Sequence, residues 1–227
     1  MKREASRYRG VVFDLDGTLL DSMGFVVAGL TMAVEPYRAR PTRAEVMSKL
    51  GGPSEVCIQR LLGDGIPIEP ALTAYLGYLD SRENEMIPFR GARSLLHALR
   101  KAGIPTGIWT GRERESTAAR LKELKFDRMF DSIVCGDDLA SHKPDPEGLR
   151  RIFGSWGLRS SEVLFVGDSD QDLEGGRAAR VGVVSILHGR PIAPALLRHA
   201  VKVAATPAEA YAWVRAAVLG EKRKQRA

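Results

Sequence analysis

Residues 8–21 read YRGVVFDLDGTLLD, a mostly apolar run that passes directly into two carboxylates spaced two residues apart. The run Tyr8–Phe13 predicts a β-strand, because it is apolar without the clean alternation of a half-exposed strand. Gly17 permits a turn that lets Asp14 and Asp16 face one ligand. Two acids held this close repel each other, so the arrangement favours a cation between them.

The same two acids suit phosphate chemistry. A carboxylate such as Asp14 can attack phosphorus and form an aspartyl-phosphate. A neighbouring acid such as Asp16 can protonate a leaving alkoxide and later deprotonate water. A D-x-D sequence alone is more often an ordinary acidic turn after a strand, so its meaning depends on the rest of the chain.

Outward from this stretch, short apolar runs alternate with amphipathic helical patterns. Such alternation predicts an α/β fold with a doubly wound parallel sheet. The further predicted strands are Pro105–Trp109, Ile133–Cys135, Val163–Val166 and Val183–Leu187. The predicted helices are Ala92–Lys101, Ser116–Leu124, Glu147–Phe153, Asp170–Arg180 and a last one that begins after Thr206 and ends at Gly220.

Residues 22–88 interrupt this alternation. They contain no convincing strand and suggest several helices separated by prolines and glycines. A crossover between parallel strands rarely needs so many residues. We therefore expect two domains: a Rossmann-like core of residues 1–21 and 89–227, and an inserted helical cap of residues 22–88.

Polar residues follow three of the later predicted strands. Thr110 ends one strand, and its hydroxyl with nearby backbone N–H groups can bind phosphate oxygens, with Arg112 adding a charge-assisted contact. Lys143 lies in a stiff K-P-D-P segment before a helix and can neutralise a phosphoryl group. The segment Gly167–Asp172 offers three acids that suit a hard cation. The ordinary alternatives are a strand–helix turn, a surface lysine and helix N-capping.

The order and spacing of these segments resemble the haloacid dehalogenase-like hydrolase superfamily, in the branch with a small helical cap. The resemblance spans about Tyr8 to Ala205, and DLDGTLLDS and GDSDQD are its most specific parts. It implies that Asp14 is the nucleophile and a Mg²⁺ ligand, and that Asp16 is the general acid and base and touches the metal through its backbone carbonyl. The remaining implied roles are phosphoryl binding by Thr110, charge stabilisation by Lys143, metal binding by Asp168, and support of the metal site or of Lys143 by Asp172.

The placement of these segments also predicts a strand order, which fits the resemblance. For these segments to meet at the carboxyl ends of the strands, the first strand has to lie between the second and the fourth. One departure concerns the residue after Thr110, which is often asparagine in the family and is Gly111 here, followed by Arg112. That departure affects how the substrate contacts this loop.

Asp16 favours a phosphatase within the superfamily, because dehalogenases lack this second acid and phosphonatases usually do. A phosphonatase also needs a cap lysine, and Lys49 keeps that alternative open. Mutases resembling β-phosphoglucomutase typically use a cap histidine, and residues 22–88 contain none. A phosphomutase therefore ranks below a phosphatase, and a phosphate-binding relative without turnover is a remote option.

The segment Leu50–Ser54 resembles the specificity loop of phosphoglycolate phosphatases. Gly52 there would let the backbone approach a small substrate, although a plain helix–helix turn explains the segment about as well. Phosphoglycolate is the first predicted substrate. Sugar phosphates, nucleotide monophosphates and pyrophosphate are the alternatives.

Composition restricts the partners. The net charge of +6 arises at the two ends, because residues 1–9 and 221–227 each carry +3 and the rest is formally neutral. This distribution argues against a nucleic-acid-binding surface, although polyanion binding by the ends stays an alternative. No apolar run is long enough for a membrane span. We expect a cytoplasmic monomer or homodimer that acts on a small phosphorylated metabolite, with Cys57 and Cys135 as buried thiols.

Overall fold

A six-stranded parallel sheet organises the molecule in the computed structural model, which describes residues 6–190 and 192–221. The strand order is β3-β2-β1-β4-β5-β6. The predicted position of the first strand between the second and the fourth is therefore confirmed. The strands are β1 (Gly10–Phe13), β2 (Thr106–Trp109), β3 (Ser132–Val134), β4 (Val163–Gly167), β5 (Gly182–Ile186) and β6 (Ala200–Ala204).

Ten α-helices lie in the described part of the chain. They are α1 (Met23–Val34), α2 (Arg43–Lys49), α3 (Ser54–Leu62), α4 (Glu69–Arg82), α5 (Ala92–Lys101), α6 (Arg114–Glu123), α7 (Glu147–Ser155), α8 (Asp170–Ala179), α9 (Pro194–Leu197) and α10 (Pro207–Leu219). Short 3₁₀ turns cover Glu83–Glu85 and Ser160–Glu162. None of the helices in this part of the chain combines the length and the hydropathy required to cross a bilayer.

Two apolar layers cover the central strands because successive side chains of a strand point to opposite faces. Val11 and Phe13 pack with α5 and α10 on one face. Val12 packs with α7 and α8 on the other. All four residues of β1 are buried. Burial on both faces explains why the sequence of β1 lacks a clean alternation.

The helical segment, by which we mean residues 23–85, connects β1 to α5 and contains α1 to α4. Its buried side chains form an apolar cluster of their own, which includes Leu30, Ile58 and Leu61. The predicted succession of helices without a strand is confirmed for this segment. The division of the chain into two domains stays a prediction.

One strand, β6, was not predicted from the sequence. β6 pairs in parallel with β5 at the edge of the sheet. Its residues alternate only weakly and Val201 is 45% exposed, because an edge strand is covered less completely than a central one. The start of α10 was predicted correctly, since the Thr206 hydroxyl accepts a hydrogen bond from the Glu209 N–H at 3.3 Å.

Two further expectations concern the cysteines and the chain ends. Cys57 and Cys135 are free and buried, as predicted. The charged ends fall mostly on residues 1–5 and 222–227, which lie outside the described residues.

Candidate active site

The carboxyl ends of β1 and β4 bring the two acidic segments together. The Asp14 N–H donates a hydrogen bond to the Val166 carbonyl at 2.8 Å, which continues the pairing of the two strands. Gly17 then turns the chain with a φ of 80°. A side chain at Gly17 would collide with the Asp168 carboxylate, so this turn requires glycine for space as well as for backbone conformation.

Lys143 joins the predicted nucleophile to the second acidic segment. Its Nζ donates to Asp14 Oδ1 and to Asp172 Oδ1, at 2.7 Å each. The ammonium also lies 4.8 Å from the centre of the Trp109 ring, a cation–π distance. Lys143 is only 5% exposed. The structure thus brings together Asp14, Lys143 and Asp172, which are far apart in sequence; with Asp168 we call these four residues the Asp14 site.

The loop before α8 immobilises Asp172. Its Oδ2 accepts hydrogen bonds from the Asp168 N–H at 3.1 Å, the Ser169 N–H at 3.0 Å and the Ser169 hydroxyl at 2.7 Å. Ser169 caps α8 by accepting from the Asp172 N–H at 3.1 Å. Both Asp172 oxygens are therefore engaged by protein donors. These contacts suit a residue that positions Lys143.

The Asp14 site contains more buried acid than buried base. One carboxylate oxygen from each of Asp14, Asp168 and Asp172 lies within 4.8 Å of the other two. Burial raises the pKa of Asp14 to about 7, and Lys143 offsets this only in part. Burial, together with Asp14 and then Asp172, raises the pKa of Asp168 well above its usual value. An all-oxygen donor set with uncompensated negative charge fits a hard divalent cation.

Asp16 lies in the same turn as Asp14, but its hydrogen-bond partners are different. The Arg112 guanidinium holds it with two hydrogen bonds, Nε to Oδ2 at 3.1 Å and Nη2 to Oδ1 at 2.9 Å. The Ser22 hydroxyl donates to Oδ1 at 2.6 Å. Burial alone would raise the pKa of Asp16, but Arg112 and then Ser22 hold it below its usual value. Asp16 is therefore ionised in this arrangement.

The loop after β2 contacts the helical segment. The Thr110 hydroxyl accepts from the Arg112 N–H at 3.1 Å and stabilises the turn. A Cβ atom on Gly111 would lie 3.1 Å from the Gly52 carbonyl oxygen, so these two backbones are in close approach. Thr110, Gly111, Gly52 and Arg112 all line one cavity of about 560 Å³ that also contains Asp14 and Lys143. The structure thus places all the predicted substrate-binding residues around one space.

Several site residues escaped the sequence analysis. No contact with a site residue was predicted for Ser22, although its hydroxyl donates to Asp16. Glu113 accepts a hydrogen bond from the Ser54 N–H at 2.7 Å, and Gln171 donates to the Leu50 carbonyl at 3.0 Å. Both contacts hold the loop between α2 and α3 over the sheet. Glu113 directly follows Arg112 and Gln171 directly precedes Asp172, so adjacency to a predicted site residue was the available signal for these two.

Several known proteins are similar to this chain in sequence. The sequence profile described as haloacid dehalogenase-like hydrolase matches residues 11–186. A phosphoglycolate phosphatase of Pseudomonas aeruginosa is 34% identical over 200 residues, which cover 82% of this chain and 73% of the relative. A pyrophosphatase of Halalkalibacterium halodurans is 29% identical over 173 residues, covering 75% and 80%.

Solved structures share the fold. A hydrolase from Pseudomonas syringae superposes with a TM-score of 0.77 and 26% sequence identity, covering 89% of this chain and 95% of the other. This likeness extends over the parallel sheet and the helical segment together, because it includes most of both chains.

Proposed function

Because this chain belongs to the haloacid dehalogenase-like hydrolases and is a phosphatase, we propose that it hydrolyses a small phosphomonoester with Mg²⁺ and through an aspartyl-phosphate on Asp14. The observation that carries the proposal is the buried bridge from Lys143 to Asp14 and Asp172, with both distances at 2.7 Å. A cation fixed beside a carboxylate, as Lys143 is beside Asp14, can balance the negative charge of a phosphoryl group that is transferred to that carboxylate.

In the proposed first step, an Asp14 oxygen attacks phosphorus while the bond to the leaving oxygen breaks. Lys143 holds Asp14 in place and offsets negative charge on the phosphoryl oxygens. Thr110, which is buried and lines the cavity, supplies a hydroxyl for one of these oxygens. In the second step water attacks the aspartyl-phosphate, releasing phosphate and restoring the Asp14 carboxylate.

Asp14, Asp168 and the Asp16 carbonyl are the groups that we propose would hold Mg²⁺, with Asp172 in support. When bound there, the ion would supply positive charge to the transferring phosphoryl group. The engagement of both Asp172 oxygens by protein donors supports a positioning role toward Lys143 for that residue.

The proposed role of Asp16 depends on its contacts with Arg112. An ionised Asp16 suits the second step, in which a base takes a proton from water. Protonating the leaving oxygen in the first step requires Asp16 to carry a proton, and the Arg112 guanidinium opposes that state. We therefore propose that the pair between Asp16 and Arg112 loosens when substrate binds.

Phosphoglycolate is the first substrate that we propose, since the Pseudomonas aeruginosa relative carries that name. The pyrophosphatase among the relatives keeps pyrophosphate as an alternative. Sugar phosphates and nucleotide monophosphates remain candidates of the same reaction type, and a phosphomutase or a non-catalytic relative ranks below them.

We further propose that residues 22–88 act as a cap over a core of residues 1–21 and 89–227. The cap would close to exclude water and hinge near Asp21–Ser22 and near 88–91. The apolar cluster internal to the helical segment supports movement of this segment as one unit. A cytoplasmic monomer or homodimer remains the proposed setting.

The deciding experiment measures phosphate release from a panel of phosphorylated metabolites, with Mg²⁺ and with EDTA. We expect Mg²⁺-dependent turnover, with phosphoglycolate among the best substrates. Turnover of other esters alone would keep the mechanism and replace the substrate. Release of phosphate that EDTA leaves unchanged would overturn the metal-dependent mechanism.

A further inference from the structure

The cavity over Asp14 offers little positive charge for an enzyme that binds anions. Its volume is about 560 Å³, and much of its wall consists of apolar side chains from the helical segment, such as Leu30, Met47 and Leu79. Among the described residues that line it, only Arg112 and Lys143 are cationic. Any negative group on the substrate must therefore rely on these two side chains and on a metal.

Lys143 is already committed to the phosphoryl end of the cavity. It contacts Asp14 and Asp172 and lies against the rings of Trp109 and Phe165. A second anionic group, located on the leaving alcohol, would need a cation farther from phosphorus. Arg112 is the one lining side chain in the described part of the chain that meets this requirement.

Arg112 presents its guanidinium edge to a carboxylate in this structure. Asp16 accepts from Nε and Nη2 in the paired geometry that a planar guanidinium offers to any carboxylate. The Arg112 side chain is 9% exposed, and its Nη2 also lies 3.7 Å from the Met86 sulfur. The neighbouring acid Glu113 is directed to the Ser54 N–H instead. Arg112 is thus held at the cavity wall with a single carboxylate partner among the described residues.

We propose that Arg112 is a specificity residue that binds a carboxylate on the leaving group of the substrate, exchanging Asp16 for it. The inference rests on the proposed function, in which Asp16 lies beside the leaving oxygen. The guanidinium adjoins Asp16, so it lies close to the atoms attached to that oxygen. A carboxylate one or two carbons from the ester oxygen is then within its reach, which defines the substrate class as phosphorylated short hydroxy acids.

The surroundings make this contact decisive for binding. A carboxylate buried against an apolar wall without a cation is strongly disfavoured. The acids Glu55, Asp80, Glu113 and Glu115 also line the cavity and repel a carboxylate that is not paired. Arg112 therefore determines whether an anionic leaving group is accepted, whereas a neutral leaving group depends on it much less.

The test compares two substrates of nearly equal size. Phosphoglycolate carries a carboxylate where 2-hydroxyethyl phosphate carries a neutral hydroxymethyl group. We expect Arg112→Gln to lower kcat/KM for phosphoglycolate by about tenfold to a hundredfold more than for 2-hydroxyethyl phosphate. Arg112→Lys should recover part of the loss. Arg114→Gln, which removes a two-bond pair with Asp138 outside the cavity, is the control.

Equal losses on both substrates would overturn the inference and would mean that Arg112 acts through Asp16. A preference that survives Arg112→Gln, or a loss confined to pyrophosphate, would overturn it as well. Calorimetric binding of both esters to the full-length protein carrying Asp14→Asn, with and without Arg112→Gln, tests the same preference without turnover. A protein that binds phosphoglycolate selectively but hydrolyses nothing would refute the proposed function and support the role of Arg112.

Discussion

The parallel sheet and the helical segment contribute to the active site in different ways. The sheet presents buried groups that contact one another, as Lys143 does with Asp14 and Asp172. The helical segment presents mainly apolar side chains and the backbone of the loop between α2 and α3. Changes at the sheet should therefore affect every substrate, whereas the effect of changes at the contact with the helical segment should depend on the substrate or on closure.

The largest expected effect comes from the sheet. Asp14→Asn removes the proposed nucleophile, so we expect a loss on the order of 10³-fold or more in kcat for every ester in the panel. The fold should persist, because asparagine keeps the size of the side chain and removes a buried charge. Phosphate release and thermal unfolding measure the two effects.

Asp170→Asn is the control for this variant, since Asp170 lies in the second acidic segment, with Asp168 and Asp172, and its side chain is 53% exposed. It should retain most of the activity. If Asp14→Asn kept an activity close to that of the unmodified enzyme, Asp14 would not be the nucleophile. The proposed difference between the sheet and the helical segment would then be wrong as well.

The buried acids of the Asp14 site predict an unusual pH dependence of stability. Burial raises the pKa of Asp14 to about 7 from 3.8, and that of Asp168 also rises. Between pH 3.8 and about pH 7, the folded state binds more protons than the unfolded state. The free energy of unfolding therefore decreases as pH rises through this range. The metal-free protein should therefore have a higher Tm at pH 5.5 than at pH 7.5.

Added Mg²⁺ should raise Tm more at pH 7.5 than at pH 5.5, because the acids must be ionised to bind it. Thermal unfolding in EDTA and in Mg²⁺ at both pH values measures this difference. Asp14→Asn should flatten the pH dependence in EDTA. A Tm in EDTA that rises with pH over this range would contradict the electrostatic description of the site.

A smaller effect is expected where the two regions touch. A Cβ at position 111 would lie 3.1 Å from the Gly52 oxygen and 3.2 Å from the Gly52 nitrogen. Gly111→Ala should therefore displace the loop between α2 and α3 by a few tenths of an ångström and lower kcat/KM about tenfold. Steady-state kinetics and denaturant unfolding separate this effect from a loss of stability.

Gly154→Ala is a matched control, because a Cβ there would meet no atom within 4 Å and the residue lies inside α7. It should leave kinetics unchanged and increase the free energy of unfolding by about 0.5–1 kcal/mol. If Gly111→Ala behaved in the same way, close approach of the two loops would have no kinetic importance.

The smallest effect is expected at Gln171, whose amide donates to the Leu50 carbonyl at 3.0 Å and to the Ser48 carbonyl at 3.4 Å. Gln171→Ala removes these contacts with the helical segment, so we expect KM to rise about two- to fivefold with kcat nearly unchanged. Glu174→Ala, on an exposed position of the same helix, is the control. A lower kcat without a change in KM would contradict this expectation and would indicate that Gln171 affects catalysis in the way that the residues at the sheet do.

Much of the architecture was predictable because it depends on local pattern. Apolar runs predicted five of the six strands, and the position of β1 between β2 and β4 followed from the need to gather four segments at one edge. The edge strand β6 was missed because an incompletely covered strand has a weak apolar pattern. The residues that were predicted for the site, from Asp14 to Asp172, line or adjoin one cavity.

The sequence by itself determined which chemical groups were present and that they follow strands, since strand pattern and motif spacing are properties of neighbouring residues. Only the tertiary structure decided which groups touch. That Arg112 pairs with Asp16, and that Lys143 bridges Asp14 and Asp172, depends on how strands far apart in sequence are placed side by side. The physical reason is that ion pairs and pKa shifts vary with distance and burial, and neither quantity is encoded in the spacing of residues along the chain.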